Sequence, residues 1–164
     1  MKKYAKPVLM ALLGLLIIGQ FIRPEKNQSN DQSNHIRTKF PIPQSLEATL
    51  EVACYDCHSN NTRYPWYASV QPVAAWLAGH IKHGKEELNF STLTTRRVAV
   101  QNHKLEEIIE MVREGDMPLA SYTWTHRDAV LTELQKNELY QWAQAAMDSL
   151  KAQYPADSLK LRRR

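Results

Sequence analysis

Residues 54–58 read Cys54-Tyr55-Asp56-Cys57-His58, a C-x-x-C-H motif from which the organisation of the rest of the chain follows. Two thiols three residues apart on a helical turn can each add across one vinyl group of a haem, and the histidine that follows can place its imidazole on the iron. The spacing therefore predicts one covalently attached haem c, with Cys54 and Cys57 as the attachment sites and His58 as an iron ligand.

Two other interpretations of this pair of cysteines remain open. A thioredoxin-like redox pair belongs to a βαβ setting, and no stretch of this sequence alternates like a strand. A structural zinc site needs four ligands at paired spacing, and no second C-x-x-C or H-x-H pair lies at zinc-finger distance. Two cysteines are also too few for a disulfide scaffold. The haem interpretation is therefore favoured.

A methionine is the candidate for the second protein ligand of the iron. Met117 follows a predicted helix in the stretch Glu114-Gly115-Asp116-Met117-Pro118. A thioether is the distal ligand that raises the reduction potential in c-type cytochromes, and Pro118 restricts the chain beside it. A histidine or an open position is the alternative, and His126 is the chief rival for distal ligation or a proton-transfer role.

The body of the chain shows helical periodicity from Phe40 onward, which predicts an all-α fold. Four helices are predicted, over 45–53, 71–83, 102–114 and 132–151. Gly84 and Gly115 are expected to end the second and third of them, and Thr132 with Gln135 matches a capping box. Helices this few and this short make a thin core, so we expect the cofactor to complete it.

Aromatic residues are frequent in the connections of this body. We expect them to pack around the haem: Trp66, Tyr67, Trp76, Tyr122 and Trp124.

Several charged and polar residues have weaker assignments. Arg96 and Arg97 are candidates for pairing with haem propionates, because an arginine fork matches a carboxylate, with a solvated helix face as the alternative. Asp56 is expected to lie exposed at the haem edge. His80 and His83 are interpreted as exposed residues near a helix C-terminus, where their charge suits the helix dipole.

The N-terminal segment has basic residues before an apolar run over 8–22. This run is longer than most signal-peptide cores and short for a bilayer crossing, and no small-x-small cleavage site follows it. We interpret residues 1–24 as an uncleaved signal anchor or transmembrane helix, with a cleaved signal peptide as the alternative. Either interpretation exports the rest of the chain.

The remaining boundaries follow from composition. Residues 25–39 are polar and almost free of apolar side chains, which predicts a flexible linker in which His35 is solvated. Residues 40–155 form the predicted haem-binding domain, and 156–164 a basic C-terminal tail. Residues 25–164 hold 17 basic and 17 acidic side chains, so the formal charge of +4 belongs to the N-terminus and no nucleic-acid partner is expected.

The elements CYDCHSN, RYPWY, LNFS and MPL-SYTW-H, taken together, resemble the membrane-anchored haem-binding domain family of c-type cytochrome-like proteins over about residues 40–150. The resemblance implies a small cytochrome c-like helical domain around a single covalent haem, preceded by an N-terminal membrane helix. It also implies a position on the periplasmic side of the inner membrane of a Gram-negative bacterium. Carried over to this chain, Cys54 and Cys57 are the attachment sites, His58 the proximal ligand and Met117 the distal ligand.

The expected function is one-electron transfer at the periplasmic membrane surface, with unidentified redox proteins as partners. If both axial positions are taken by the protein, it is a carrier and not a catalyst. The alternative is a haem-based sensor or peroxidase-like enzyme with an open or labile distal site, where His126 would act as an acid–base group.

Overall fold

The structure is a computed structural model that describes residues 2–161, and within these residues the chain forms seven α-helices and no strand. The helices are α1 (Lys2–Gly19), α2 (Gln44–Ala53), α3 (Tyr55–His58), α4 (Val73–Glu87), α5 (Val98–Glu114), α6 (Ala120–Thr125) and α7 (Glu133–Gln153). Five 3₁₀ turns connect them. The prediction of an all-α fold is confirmed for the described residues.

The core lies where α5 and α7 pack together, with α2 closing it from one side. The fully buried side chains at its centre are Leu46, Leu50, Leu105, Leu139 and Leu150. Burying a leucine side chain contributes about 1.5–3 kcal/mol, so these contacts hold the three helices together. This core forms one wall of the candidate site described below.

Two helix ends were predicted correctly, because each is determined by residues close to it in the sequence. Gly115 ends α5 with a φ of 84°, a left-handed conformation that suits glycine. Thr132 and Gln135 form the predicted capping box at the start of α7. The expectation that Gly84 ends a helix was wrong, because α4 continues to Glu87 and Gly84 lies within it at a close approach to α3.

Helix α6 was not predicted. It lies in the connection 115–127 and contains no buried residue, so it shows no apolar periodicity that could reveal it. Its six residues follow Met117 closely, and this position matters for the site.

The structure of the N-terminal segment does not agree with the predicted membrane anchor. Among the described residues, no helix combines the length and the apolar character that a membrane crossing requires. Helix α1 begins with a lysine-containing turn, and the apolar residues 8–19 span about 18 Å at 1.5 Å per residue, against about 30 Å of hydrocarbon. The prediction of a single-pass anchor, and of a location at the periplasmic side of the inner membrane that rested on it, was wrong.

The polar segment 25–39 makes specific contacts with the body. The Asn27 backbone N–H donates to the Tyr64 hydroxyl at 2.7 Å, and Gln28 forms an isolated β-bridge with Asn61. Ile36 is fully buried and its N–H donates to the Phe90 carbonyl at 2.8 Å. Composition alone does not reveal these contacts, because the polar side chains that make them resemble solvated ones.

The C-terminal segment packs against α5 and α7. Residues Ala156–Leu159 form a 3₁₀ turn that buries Leu159 against the core. The last three arginines of the predicted basic tail lie outside the described residues.

His35 is buried, with 2% of its surface exposed, so the prediction that it is solvated was wrong. Its Nδ1 accepts a hydrogen bond from the Arg37 N–H at 3.3 Å, and its ring packs edge-on against Tyr55. Burial, and then the positive charge of Arg37, lower the pKa of His35 from 6.5 to about 4. The imidazole is therefore neutral in the folded protein at neutral pH.

This shift predicts a pH dependence of stability. Below pH 6.5 the unfolded chain takes up a proton at His35, whereas the folded chain does so only near pH 4. The free energy of unfolding is therefore highest above pH 6.5 and decreases as the pH falls towards 4. Because one pKa unit corresponds to about 1.36 kcal/mol, the total decrease is about 3 kcal/mol. We expect urea denaturation of holoprotein across this range to show a shallower pH slope for His35→Phe; equal slopes would contradict the assignment.

Candidate functional site

The C-x-x-C-H turn is a helical continuation of α2. The Cys54 N–H donates to the Leu50 carbonyl at 2.9 Å, and the His58 N–H donates to the Cys54 carbonyl at 3.0 Å. Cys54 and Cys57 are free cysteines and form no disulfide. Burial raises the pKa of Cys54 to about 12 and that of Cys57 to about 11. A thioredoxin-like pair depends on a lowered thiol pKa, which these neutral thiols lack.

The orientation of His58 is fixed by a backbone carbonyl. Its Nδ1–H donates to the Leu88 carbonyl at 3.0 Å, which leaves Nε2 as the ring nitrogen available to a ligand. Burial lowers the pKa of His58, so the imidazole is neutral, the form that binds metals. A carbonyl partner on the remote nitrogen is the usual support of a metal-bound histidine.

A cavity of about 340 Å³, here called the His58–Met117 cavity, brings together three of the four predicted site residues: Cys54, His58 and Met117. Its walls include the core side chains Phe90, Ile108 and Leu139 and a second thioether, that of Met111. An imidazole and a thioether on one cavity are the donors expected of a haem iron with histidine and methionine ligands.

The fourth predicted residue, Cys57, lines a second cavity of about 660 Å³, here called the aromatic cavity. The aromatic side chains around it are Tyr67, Trp76, Tyr122 and Trp124, together with His80 and His126. The two cavities share the C-x-x-C-H turn as a wall. Trp66 lines neither of them and is 83% exposed, so its expected packing role was wrong.

His126 is held away from the His58–Met117 cavity. Its ring stacks on Tyr122 with centroids 4.2 Å apart, and its Nε2 lies 3.3 Å from the Tyr67 hydroxyl. It lines the aromatic cavity, whereas Met117 shares a cavity with His58. This arrangement favours Met117 over His126 as the distal ligand.

Other charged residues differ from expectation. Arg96 and Arg97 are exposed and line neither cavity. The cation on the His58–Met117 cavity is instead Lys104, whose Nζ lies 2.6 Å from a Glu107 carboxylate oxygen. Sequence reasoning missed Lys104 because a lysine among glutamates on a helix is typical of a solvated face.

The prediction that Asp56 lies exposed at the haem edge was also wrong. Asp56 is 7% exposed and not at an open edge, because the side chains of Arg63 and Tyr122 cover it. The motif gave no signal for this burial, since its partners come from later segments of the chain.

The described residues contain no group of three or more His, Cys, Asp or Glu side chains arranged to hold a metal ion. The zinc interpretation is therefore unsupported within residues 2–161. One imidazole and one thioether on an apolar cavity suit an iron whose remaining ligands come from a macrocycle.

Gly84 stands where any side chain would collide with the motif. A Cβ atom there would lie 2.9 Å from the Cys57 carbonyl oxygen and 3.2 Å from the Cys57 Cβ. We expect Gly84→Ala to lower the free energy of unfolding by about 2 kcal/mol, because overpacking of this kind costs about 1–3 kcal/mol. Guanidinium denaturation measures this effect, and the haem content per protein should fall with it.

The control is Gly79→Ala in the same helix, where a Cβ atom would meet nothing within 4 Å. Alanine is favoured over glycine in a helix by about 1 kcal/mol, so this variant should be stabilised. Equal stability of the two variants would contradict the close approach of α4 to the motif.

An all-helical domain with a C-x-x-C-H turn, an oriented imidazole and a thioether on an apolar cavity defines a haem-binding class of protein. A family model described as a haem-binding domain matches residues 14–145, which is more than half of the chain. The chain belongs to the haem-binding domain family. Searches of the curated proteins and of the solved structures found no match.

The residues present fit the cofactor that the family implies. The free Nε2 of His58 and the thioether of Met117 are neutral donors for iron, and apolar walls suit a porphyrin face. Cys54 and Cys57 are unpaired and lie on the two cavities that meet at the motif.

Proposed function

We propose that the protein binds one haem c covalently and transfers single electrons to and from redox partner proteins. The observation that carries the proposal is the His58–Met117 cavity, which joins Cys54, the oriented imidazole and a thioether in one apolar space. When bound, the haem iron supplies one-electron chemistry.

The two cysteines serve attachment. Each thiol would add across one vinyl group of the haem, with its S–H bond exchanged for an S–C bond and the hydrogen taken up by the neighbouring vinyl carbon. The addition is balanced without an oxidant. Because Cys54 and Cys57 are on one helical turn with His58, attachment also sets the imidazole close to the iron.

His58 and Met117 serve ligation. The Leu88 carbonyl holds the Nδ1–H of His58 and so keeps Nε2 directed as the ligand. A methionine opposite a histidine raises the reduction potential. If His58 and Met117 both held the iron, no coordination site would be left for a substrate, which supports a carrier over a catalyst.

The walls of the His58–Met117 cavity influence the reduction potential of the iron. Phe90, Ile108 and Leu139 exclude water from the His58 side of the site. A low local dielectric disfavours a gain in net charge at the iron, and a hydrophobic surround of this kind tunes the reduction potential.

The experiment is an oxidised and a reduced absorption spectrum of protein produced with the cytochrome c maturation machinery, followed by organic extraction under denaturing conditions. We expect haem that resists extraction, low-spin bands and a sulfur–iron charge-transfer band. A high-spin spectrum that shifts with carbon monoxide or peroxide would support the sensor or peroxidase-like alternative. Extractable haem would contradict covalent attachment.

A further inference from the structure

Asp56 is the convergence point of a hydrogen-bond network inside the C-x-x-C-H turn. Its Oδ1 accepts from the backbone N–H of Arg63 at 3.0 Å and from Arg63 Nε at 3.1 Å. Its Oδ2 accepts from Arg63 Nη2 at 3.2 Å and from the Tyr122 hydroxyl at 2.8 Å. Both carboxylate oxygens are therefore fully used, by partners from two different segments.

Arg63 ties the loop after the motif back onto it. Besides its fork on Asp56, its Nη2 donates to the Glu51 carbonyl at 2.8 Å. Thr62 adds a hydrogen bond from its hydroxyl to the Asp56 carbonyl at 2.6 Å. The carboxylate therefore has a fixed position and a fixed counter-charge.

Tyr122 extends the network to α6. Its hydroxyl lies 2.8 Å from Asp56 Oδ2 and 2.9 Å from the Val52 carbonyl. Helix α6 buries none of its own residues, so apolar packing does little to hold it in place. The Tyr67 hydroxyl, 3.3 Å from Thr125 Oγ1, ties the end of α6 to another loop, and the Tyr122 hydroxyl is its link to the motif.

Met117 lies between two anchored ends. On one side its N–H donates to the Met111 carbonyl at the end of α5, at 3.1 Å. On the other side α6 begins three residues later, at Ala120, and carries Tyr122. The Asp56–Tyr122 bond thus connects the segment that holds His58 with the segment that holds Met117.

We propose that Asp56, with Arg63 and Tyr122, positions Met117 for ligation of the haem iron. The proposal rests on the proposed function, because it assigns these three side chains to the maintenance of the methionine ligand. They are positioning residues and bind neither haem nor iron. The Asp56 carboxylate holds the Tyr122 hydroxyl of α6, and α6 in turn fixes the loop that carries Met117.

The physical consequence is a change in ligand exchange. If α6 is held less tightly, the state in which Met117 has left the iron becomes more populated. An added ligand binds that open state, so its apparent affinity rises by the same factor as the open population. Hydrogen bonds to a charged group are stronger than neutral ones, so loss of the hydroxyl should have a measurable effect.

The test is imidazole titration of oxidised holoprotein, with Tyr122→Phe as the principal variant. We expect the apparent affinity for imidazole to rise about tenfold, equivalent to about 1.4 kcal/mol, and the sulfur–iron charge-transfer band to weaken. Asp56→Asn should give a similar rise. The double variant should show less than the sum of the two single effects, because both changes act on the Asp56–Tyr122 hydrogen bond.

The matched control is Tyr64→Phe. It also removes a hydrogen-bonded hydroxyl, which accepts from the Asn27 N–H at 2.7 Å, but it makes no contact that reaches α6. Its imidazole affinity should stay at the wild-type value even if its thermal stability falls. An equal rise in this variant would show general loosening of the domain and overturn the proposal.

The outcomes separate this proposal from the one it rests on. If wild-type holoprotein shows methionine ligation but Tyr122→Phe binds imidazole with wild-type affinity, the positioning role is overturned and the proposed function stands. If wild-type protein lacks a methionine ligand, the positioning role is overturned, and haem extraction and the spin state of the iron decide the proposed function separately. Should Asp56→Asn fold poorly, Tyr122→Phe decides the question alone, because it keeps the aromatic ring.

Discussion

The double variant Cys54→Ala, Cys57→Ala is expected to lose all covalent haem and to be strongly destabilised. Cavities of about 340 and 660 Å³ border the motif, so the cofactor supplies contacts that the protein side chains do not make. Even a reversibly bound ligand at a thousand times its Kd would contribute about 4 kcal/mol, which for a domain of this size corresponds to about 10 °C in Tm, and an attached haem fills the same space without dissociating. We expect at least this decrease, measured by thermal unfolding followed by circular dichroism.

The single variants provide the controls. Cys54→Ala and Cys57→Ala each keep one thiol, so each should retain haem through one thioether at lower yield. The pyridine complex of the reduced haem should absorb at longer wavelength in both, because one vinyl group stays unsaturated. A double variant that unfolds at the wild-type temperature without haem would contradict the idea that the cofactor completes the core.

The predictable part of the fold depends on contacts close in sequence. The Gly115 helix end and the Thr132 capping box involve residues within one turn of each other, so their patterns identified them. Helix α6 has no buried face and left no pattern. The N-terminal apolar run was conspicuous, but its helical part is too short for the crossing it was assigned.

The candidate site divides in the same way. The motif and the Met117 loop could be recognised from residue types at close spacing, and the structure brings Cys54, His58 and Met117 to one cavity. Their roles as attachment site and ligands stay a prediction. The burial of Asp56 and of His35 depends on partners up to 66 residues away in the chain, and no single-sequence pattern contains such information.

The basic residue at the cavity could not be predicted from the sequence either. Arg96 and Arg97 were candidates for the propionates because of their chemistry, but the fold directs them away from both cavities. Lys104 lies on the His58–Met117 cavity because α5 crosses it, and its side chain is held by Glu107. The sequence therefore shows which residues are basic, but the placement of the helices determines which of them lies at the cavity.

Met117→Ala is expected to leave the haem attached and to open the distal side of the iron. The thioether shares a cavity with His58, and alanine at this position cannot reach a metal. The oxidised iron should change towards high spin and lose its sulfur–iron charge-transfer band. We expect the affinity for added imidazole to rise by about a hundredfold, because imidazole then no longer has to displace a thioether that keeps the open state at about 1%.

Two variants make this result specific to Met117. Met111→Leu removes the other thioether on the same cavity while nearly keeping its volume, and it should leave the spectrum low-spin. His126→Phe removes the rival histidine on the aromatic cavity and should do the same. If Met117→Ala stays low-spin and His126→Phe becomes high-spin, the ligand is the histidine, and His126 must then move from the aromatic cavity to reach the iron. A low-spin spectrum in all three variants would instead exclude each of these side chains as the sole distal ligand.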